Sequence, residues 1–149
     1  MDQLLDPPFA KDPPVKLDIP AKTLGLVYAI LGAIGTFFGV LGLLGLSAVS
    51  AVVGAGPLFF IGTLIGVIGT ALAAWGGYKM YQGIRDGKRF AIYGIGLNAV
   101  GALIAALSYG GLTGWVLNAI FAFVLYYLVV ISRFEGDPKV VSTTPPGAS

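Results

Sequence analysis

The side chains in this chain that could do chemistry are few. Among 149 residues there is no His and no Cys. The usual proton shuttle, the thiolate nucleophile and the commonest transition-metal ligands are therefore missing. Without Cys there are also no disulfides and no site for palmitoylation or prenylation. Asp, Glu, Lys and Arg are excluded from two long stretches, Thr23 through Tyr78 and Phe90 through Ser132. What remains inside them, beside Tyr and Trp, is Thr, Ser and two amides, Asn98 and Asn118. No carboxylate pair, nucleophile–base pair or metal-ligand cluster is present in these stretches. The expectation is a protein that is not an enzyme and takes no cofactor or metal. A proton-driven antiporter needs an ionisable group within the membrane, which disfavours that class but leaves a passive pore open.

The two amides admit two readings. Asn98 falls about midway along the third apolar segment and Asn118 nearer the outer end of the fourth. Counted from Gly110-Gly111, their depths differ by roughly 7–10 Å at ~1.5 Å per residue. A direct hydrogen bond between them is not expected without helix tilt. Interhelical glue, at roughly 0.6–2 kcal/mol per bond, is the plainer role. The sharper one is a polar lining for a small-molecule or lipid cavity. Thr36, Thr63, Thr70 and Ser108 can bond the carbonyl of the preceding turn and need no further account. Gly94-Ile95-Gly96 is no phosphate loop, having neither a strand before it nor a lysine after it.

Stepping outward from these residues, the elements that carry them are membrane helices. The composition is 56% hydrophobic and 11% charged, with a mean hydropathy of +0.88. One helix needs ~20 apolar residues to cross the hydrocarbon core, and the two uncharged stretches hold four. The predicted fold is all-α: an integral membrane, up-down, four-helix transmembrane bundle. The spans fall at about 24–46, 58–84, 88–109 and 112–132, within a transmembrane domain over 23–133. The first has room to continue through Ser47–Val53. Gly54-Ala55-Gly56-Pro57, Asp86-Gly87 and Gly110-Gly111 make the turns, with Pro57 suited to a first helical position. A transmembrane barrel is disfavoured because the apolar runs do not alternate. A weak echo between Val27-Tyr28-Ala29-Ile30 and Ile92-Tyr93-Gly94-Ile95 hints at duplicated hairpins, but the second and fourth spans do not extend it.

All nine basic residues fall on one side of such a bundle. Lys11, Lys16 and Lys22 precede the first span. Lys79, Arg85, Lys88 and Arg89 flank the second turn, and Arg133 and Lys139 follow the fourth span. Basic segments stay on the cytoplasmic side, so both termini are expected there, in a plasma or inner membrane. Residues 1–22 and 134–149, rich in Pro and polar residues, are expected to be disordered cytoplasmic tails. The leader carries Asp2, Asp6, Asp12 and Asp18, which argues against a cleaved signal peptide. Lys79, Arg85, Lys88 and Arg89 are expected to contact anionic headgroups, at roughly 1 kcal/mol each, or an acidic partner. Tyr28, Trp75, Tyr78, Tyr81, Tyr93, Tyr126 and Tyr127 at one end, with Tyr109 and Trp115 at the other, are placed as interface anchors.

The most patterned feature is the spacing of small residues. On the second span Gly62, Gly66, Gly69, Ala73 and Gly76 keep within about 80° of one another at ~100° per residue. On the third, Ala91, Gly94, Asn98, Gly101, Ala105 and Ser108 repeat the alternation. The first carries a broader version through Gly25, Ala29, Gly32, Gly35, Gly39 and Gly42. Lipid is as apolar as leucine, so helices associate through close packing, which small residues permit. Such seams hold one bundle together or present a face to another subunit. Function is therefore expected to be that of a non-catalytic, multi-pass accessory or structural subunit acting through packing surfaces. Its partners would be membrane lipids and other membrane subunits or itself, with no nucleic acid. The alternatives are a small holin-like oligomeric pore and a binder of a hydrophobic ligand or lipid.

Overall fold

The computed structural model describes Pro7 and residues 17–53, 56–109 and 111–137. It contains four helices: α1 Ala21–Val53, α2 Pro57–Tyr81, α3 Gly87–Tyr109 and α4 Leu112–Ile131. Each is long and apolar enough to span a membrane. No strand occurs among the described residues, and an isolated bridge between Pro20 and Arg133 is the extended pairing found there. The chain is an integral, multi-pass membrane protein. Helix is the form that satisfies every backbone group within one segment when water is absent, so long uncharged runs become helices regardless of their glycine content.

Helix α1 takes up the continuation through Ser47–Val53 that the sequence left room for, while the end of α2 and the start of α3 differ from the sequence reading. Helix α1 runs on to Val53, 33 residues in all, about 50 Å at ~1.5 Å per residue. The 20 residues of α4 give only about 30 Å. Helix α2 stops at Tyr81, short of Ile84, because Gly83 takes a φ of 81°. Ile84 N–H then donates to Lys79 O at 2.9 Å and Gly83 N–H to Met80 O at 3.0 Å. That pair of bonds is the Schellman ending, which needs a left-handed residue just past the helix. Gly87, expected to be part of the turn, is instead the first residue of α3.

Helix α2 is the central element, packed on one side by α1 and on the other by α3, while α4 lies mainly against α3. Adjacent residues explain this position. Gly77 and Ala74 face α1, whereas Gly76, Gly69 and Gly62 face α3, so α2 has two small-residue faces about 100° apart.

The described basic residues gather at one end of the bundle, where the termini and the α2–α3 turn meet. There the chain before α1 pairs with the chain after α4. Ala21 N–H donates to Arg133 O at 2.6 Å and Arg133 N–H to Ile19 O at 3.0 Å. Met80 and Val129 are fully buried beneath this junction, beside Tyr28, Ala91, Ile92, Ile95 and Val130. Residues 17–20 and 134–137 of the expected tails are thus tied to the bundle. Residues 21 and 22 of the expected N-terminal tail are instead the first of α1, and the other tail positions, apart from Pro7, lie outside the described residues.

Candidate functional site

The seams mate in a fixed antiparallel register. A Cβ built on Gly62 would lie 2.5 Å from Ala105 N and 2.7 Å from Gly101 O. One on Gly69 would lie 2.5 Å from Asn98 N and 2.8 Å from Gly94 O. One on Gly76 would meet Ala91 N and Gly87 O. From the other side, a Cβ on Gly101 would meet Gly66 N and Gly62 O, and one on Gly94 would meet Ala73 N and Gly69 O. Each step of seven residues along α2 is thus matched by a step of seven back along α3. A seven-residue repeat keeps the contact line in place through a left-handed supercoil. Gly66 differs from its neighbours in the stripe. Its own Cβ would meet only Asn98 Nδ2, at 3.8 Å.

Helix α1 packs on α2 in the same antiparallel sense. Gly25 lies against Gly77 and Met80, Gly32 against Ala74, and Gly39 against the Val67 side chain. Thr36 Oγ1 donates to Gly32 O at 2.7 Å and lies 3.2 Å from Thr70 Oγ1, which bonds Val67 O at 2.9 Å. Thr63 and Ser108 likewise bond Phe59 O and Ala105 O. All four hydroxyls are satisfied on their own helices. Beyond Gly39 the glycines no longer make such close approaches: a Cβ on Gly42 or Gly45 would meet nothing within 4 Å.

Helices α1 and α4 meet chiefly near the basic end, where Tyr28 Oη donates to Leu125 O at 2.7 Å. Past that contact all four helices line a cavity of about 410 Å³, with Gly35 and Gly39 from α1, Thr63 and Gly66 from α2, Ala102 from α3 and Gly114 from α4. A second cavity of about 260 Å³ lies beside it, walled by Leu31, Ile95, Phe121 and Leu125. The two share Thr70, Asn98 and Asn118. No Asp, Glu, Lys or Arg lines either one.

Both amides reach this junction from different helices. Asn98 Nδ2 donates to Gly66 O over a long 3.4 Å. Asn118 Oδ1 is buried and receives no hydrogen bond from the described residues. A buried polar atom without a partner costs about 1–3 kcal/mol, and natural proteins rarely leave one without cause. Trp115, expected to anchor at the interface, instead turns inward. Its Nε1 donates to Ala99 O at 3.2 Å and its ring lines the larger cavity. Tyr28 is likewise buried, at 4% exposure, rather than set among headgroups. In both cases an indole or phenol that can find a carbonyl inside the bundle packs there as a large apolar body. Trp75, Tyr78, Tyr81 and Tyr93 do face outward.

The basic cluster divides by environment. Lys88 Nζ donates to Val130 O at 3.3 Å and to Ser132 O, and sits over the Phe134 ring. It thereby covers the last carbonyls of α4, where the helix dipole favours a cation. Lys79 Nζ lies 4.4 Å from the Phe90 ring centroid. Arg85 pairs with Asp137 at 2.7 Å, Lys22 with Glu135 at 3.6 Å and Arg133 with Asp18 at 3.8 Å. Arg89 is exposed. Each of these carboxylates partly neutralises the cation beside it.

Among the described residues no group of His, Cys, Asp or Glu could hold a metal ion. Comparison with protein-family models, with curated proteins and with solved structures finds no match. The junction of the two cavities, the orphaned Asn118 oxygen and the inward Trp115 had no local signal in the sequence. Each depends on which faces of α1, α3 and α4 turn toward one another.

Proposed function

We propose that this is a non-catalytic membrane protein that accommodates an apolar, lipid-like ligand between its helices. The observation that carries the reading is the pair of adjoining, uncharged cavities, of about 410 and 260 Å³, in a bundle that is otherwise closely packed along its seams. Ligand sites typically run from about 300 to 1,000 Å³ and pair apolar walls with a few placed polar groups. A non-catalytic role is supported by the lack of His and Cys in the chain and of charged residues between Thr23 and Tyr78 and between Phe90 and Ser132. The distribution of basic residues supports cytoplasmic termini in a plasma or inner membrane.

The reading is tested by native mass spectrometry of protein released from membranes in mild detergent, followed by analysis of the extracted lipid. One retained apolar molecule per chain, enriched over bulk lipid, is the expected result. Gly114 lines the larger cavity and has open space at its Cβ position. Gly114→Phe should fill the cavity without disturbing a seam and lower occupancy about tenfold, a change of ~1.4 kcal/mol. Retained lipid that mirrors the membrane, unchanged by Gly114→Phe, would overturn the reading.

A second reading, an accessory subunit, draws on α1. Its Gly42 and Gly45 extend the small-residue line, and a Cβ at either would meet nothing within 4 Å inside the chain. Gly62, Gly69 and Gly76 are already occupied within the chain, so Leu at those positions would break the bundle rather than an interface. Gly42→Leu with Gly45→Leu is the informative variant. Loss of a co-purifying membrane protein would favour this role.

A further inference from the structure

We propose that the junction of the two cavities is a recognition site for the hydroxyl group of an uncharged amphiphile. This rests on the ligand-binding reading above and specifies the chemistry of what is bound. Three observations converge. Asn118 Oδ1 is buried without a donor among the described residues, so the missing partner is an O–H or N–H. Asn98 stands at the same junction, and its own bond to Gly66 O is long at 3.4 Å. The Thr70 hydroxyl there donates to Val67 O, which leaves it as an acceptor only. The site therefore offers an unmet acceptor, Asn118 Oδ1, beside a weakly engaged donor, Asn98 Nδ2, and a hydroxyl, which both donates and accepts, can meet the two together.

Charge and shape narrow the class further. No Asp, Glu, Lys or Arg side chain lines either cavity, so a carboxylate, phosphate or ammonium would sit there uncompensated, at a large cost in desolvation. A ligand with acceptors alone, such as an ester or ether, would leave Asn118 Oδ1 unsatisfied. Apolar walls extend on both sides of the amides, with Ile95 and Phe121 below and Val67 and Ala102 above. A neutral lipid with one free hydroxyl meets each of these conditions. Its hydroxyl would donate to Asn118 and its apolar body would fill the space that the helices leave.

Photoreactive hexadecanol, its methyl ether and the corresponding fatty acid, each carrying a diazirine in the chain, provide the test. Each is titrated into the full-length protein in proteoliposomes, and labelling is read by intact mass and peptide mapping. The alcohol should label saturably on peptides spanning Asn98 and Asn118. The ether should require about tenfold more probe, the penalty for one buried acceptor left unmade, and the acid at pH 8 should be weaker still. Asn118→Leu removes the orphaned oxygen without adding charge, so the variant should fold. It should bring the alcohol down to the level of the ether.

Equal saturation by alcohol and ether in the wild-type protein would overturn hydroxyl recognition while leaving apolar binding intact. Retention of the alcohol's advantage in Asn118→Leu would do so as well. If no probe saturates, as when water alone satisfies Asn118, both readings fail together.

Discussion

Gly66 and Gly69 sit about one turn apart on α2, and nothing in their local sequence separates them. Their surroundings do. A methyl group on Gly69 would press on the backbone of Asn98 and Gly94 at 2.5 and 2.8 Å, closer than real side chains approach, so α2 and α3 would have to part. Overpacking of this kind costs about 1–3 kcal/mol. The gain in helix propensity, up to ~1 kcal/mol in water, does not offset it. At Gly66 the nearest atom is the Asn98 amide nitrogen at 3.8 Å, and the propensity gain stands alone. Gly69→Ala is therefore expected to lower stability by about 1–2 kcal/mol, and Gly66→Ala to leave it unchanged or raise it by up to ~1 kcal/mol. Denaturation followed by helix content in detergent micelles checks the pair. Equal effects at the two positions would mean that the register described for α2 and α3 is wrong.

At the scale of elements, the end of α4 shows how one cation can matter more than several. Lys88 covers the Val130 and Ser132 carbonyls, groups that α4 leaves unpaired as it ends. Hydrogen bonds from a charged donor, reinforced by the helix dipole, are worth about 1–2 kcal/mol. The Arg85–Asp137 pair is shorter, yet the Arg85 side chain is 73% exposed, and exposed pairs contribute little. Lys88→Met should therefore lower stability by about 1–2 kcal/mol and speed hydrogen exchange at the last turn of α4. Arg85→Ala should do neither. The reverse order would show that the ion pairs, rather than the cap, hold α4 to the rest of the bundle.

For the whole molecule, the question is which way the basic end points. The sequence contains no Cys, so single-cysteine reporters give a clean answer. Gly87 is a poor site because a Cβ there would meet Gly76 O and Met80 N, both at 2.6 Å. Asp86 is exposed at the basic end, and Gly56 at the opposite end has open space around it. In intact cells an impermeant thiol reagent should modify Gly56→Cys and spare Asp86→Cys until the cells are lysed. The opposite pattern would invert the orientation without altering the fold.

Much of this molecule was legible along the chain. Residence in a membrane, four helices and the self-satisfied hydroxyls of Thr36, Thr63, Thr70 and Ser108 all follow from local rules. A bilayer core offers no water, so each segment must satisfy its own backbone, and that requirement can be read one segment at a time. The small residues were visible too, as a stripe on α2 and echoes of it on α1 and α3. Their partners were not visible. Lipid and leucine are equally apolar, so hydrophobicity gives no direction to helix packing, and the mating of Gly69 with Gly94 depends on the shapes of two surfaces together. The same holds where packing fails. Tertiary structure alone turned Tyr28 and Trp115 inward, left Gly42 and Gly45 without the close approach made at Gly25, Gly32 and Gly39, and brought Asn98 and Asn118 to one cavity, because a void belongs to no single helix and is set by how far four of them stand apart.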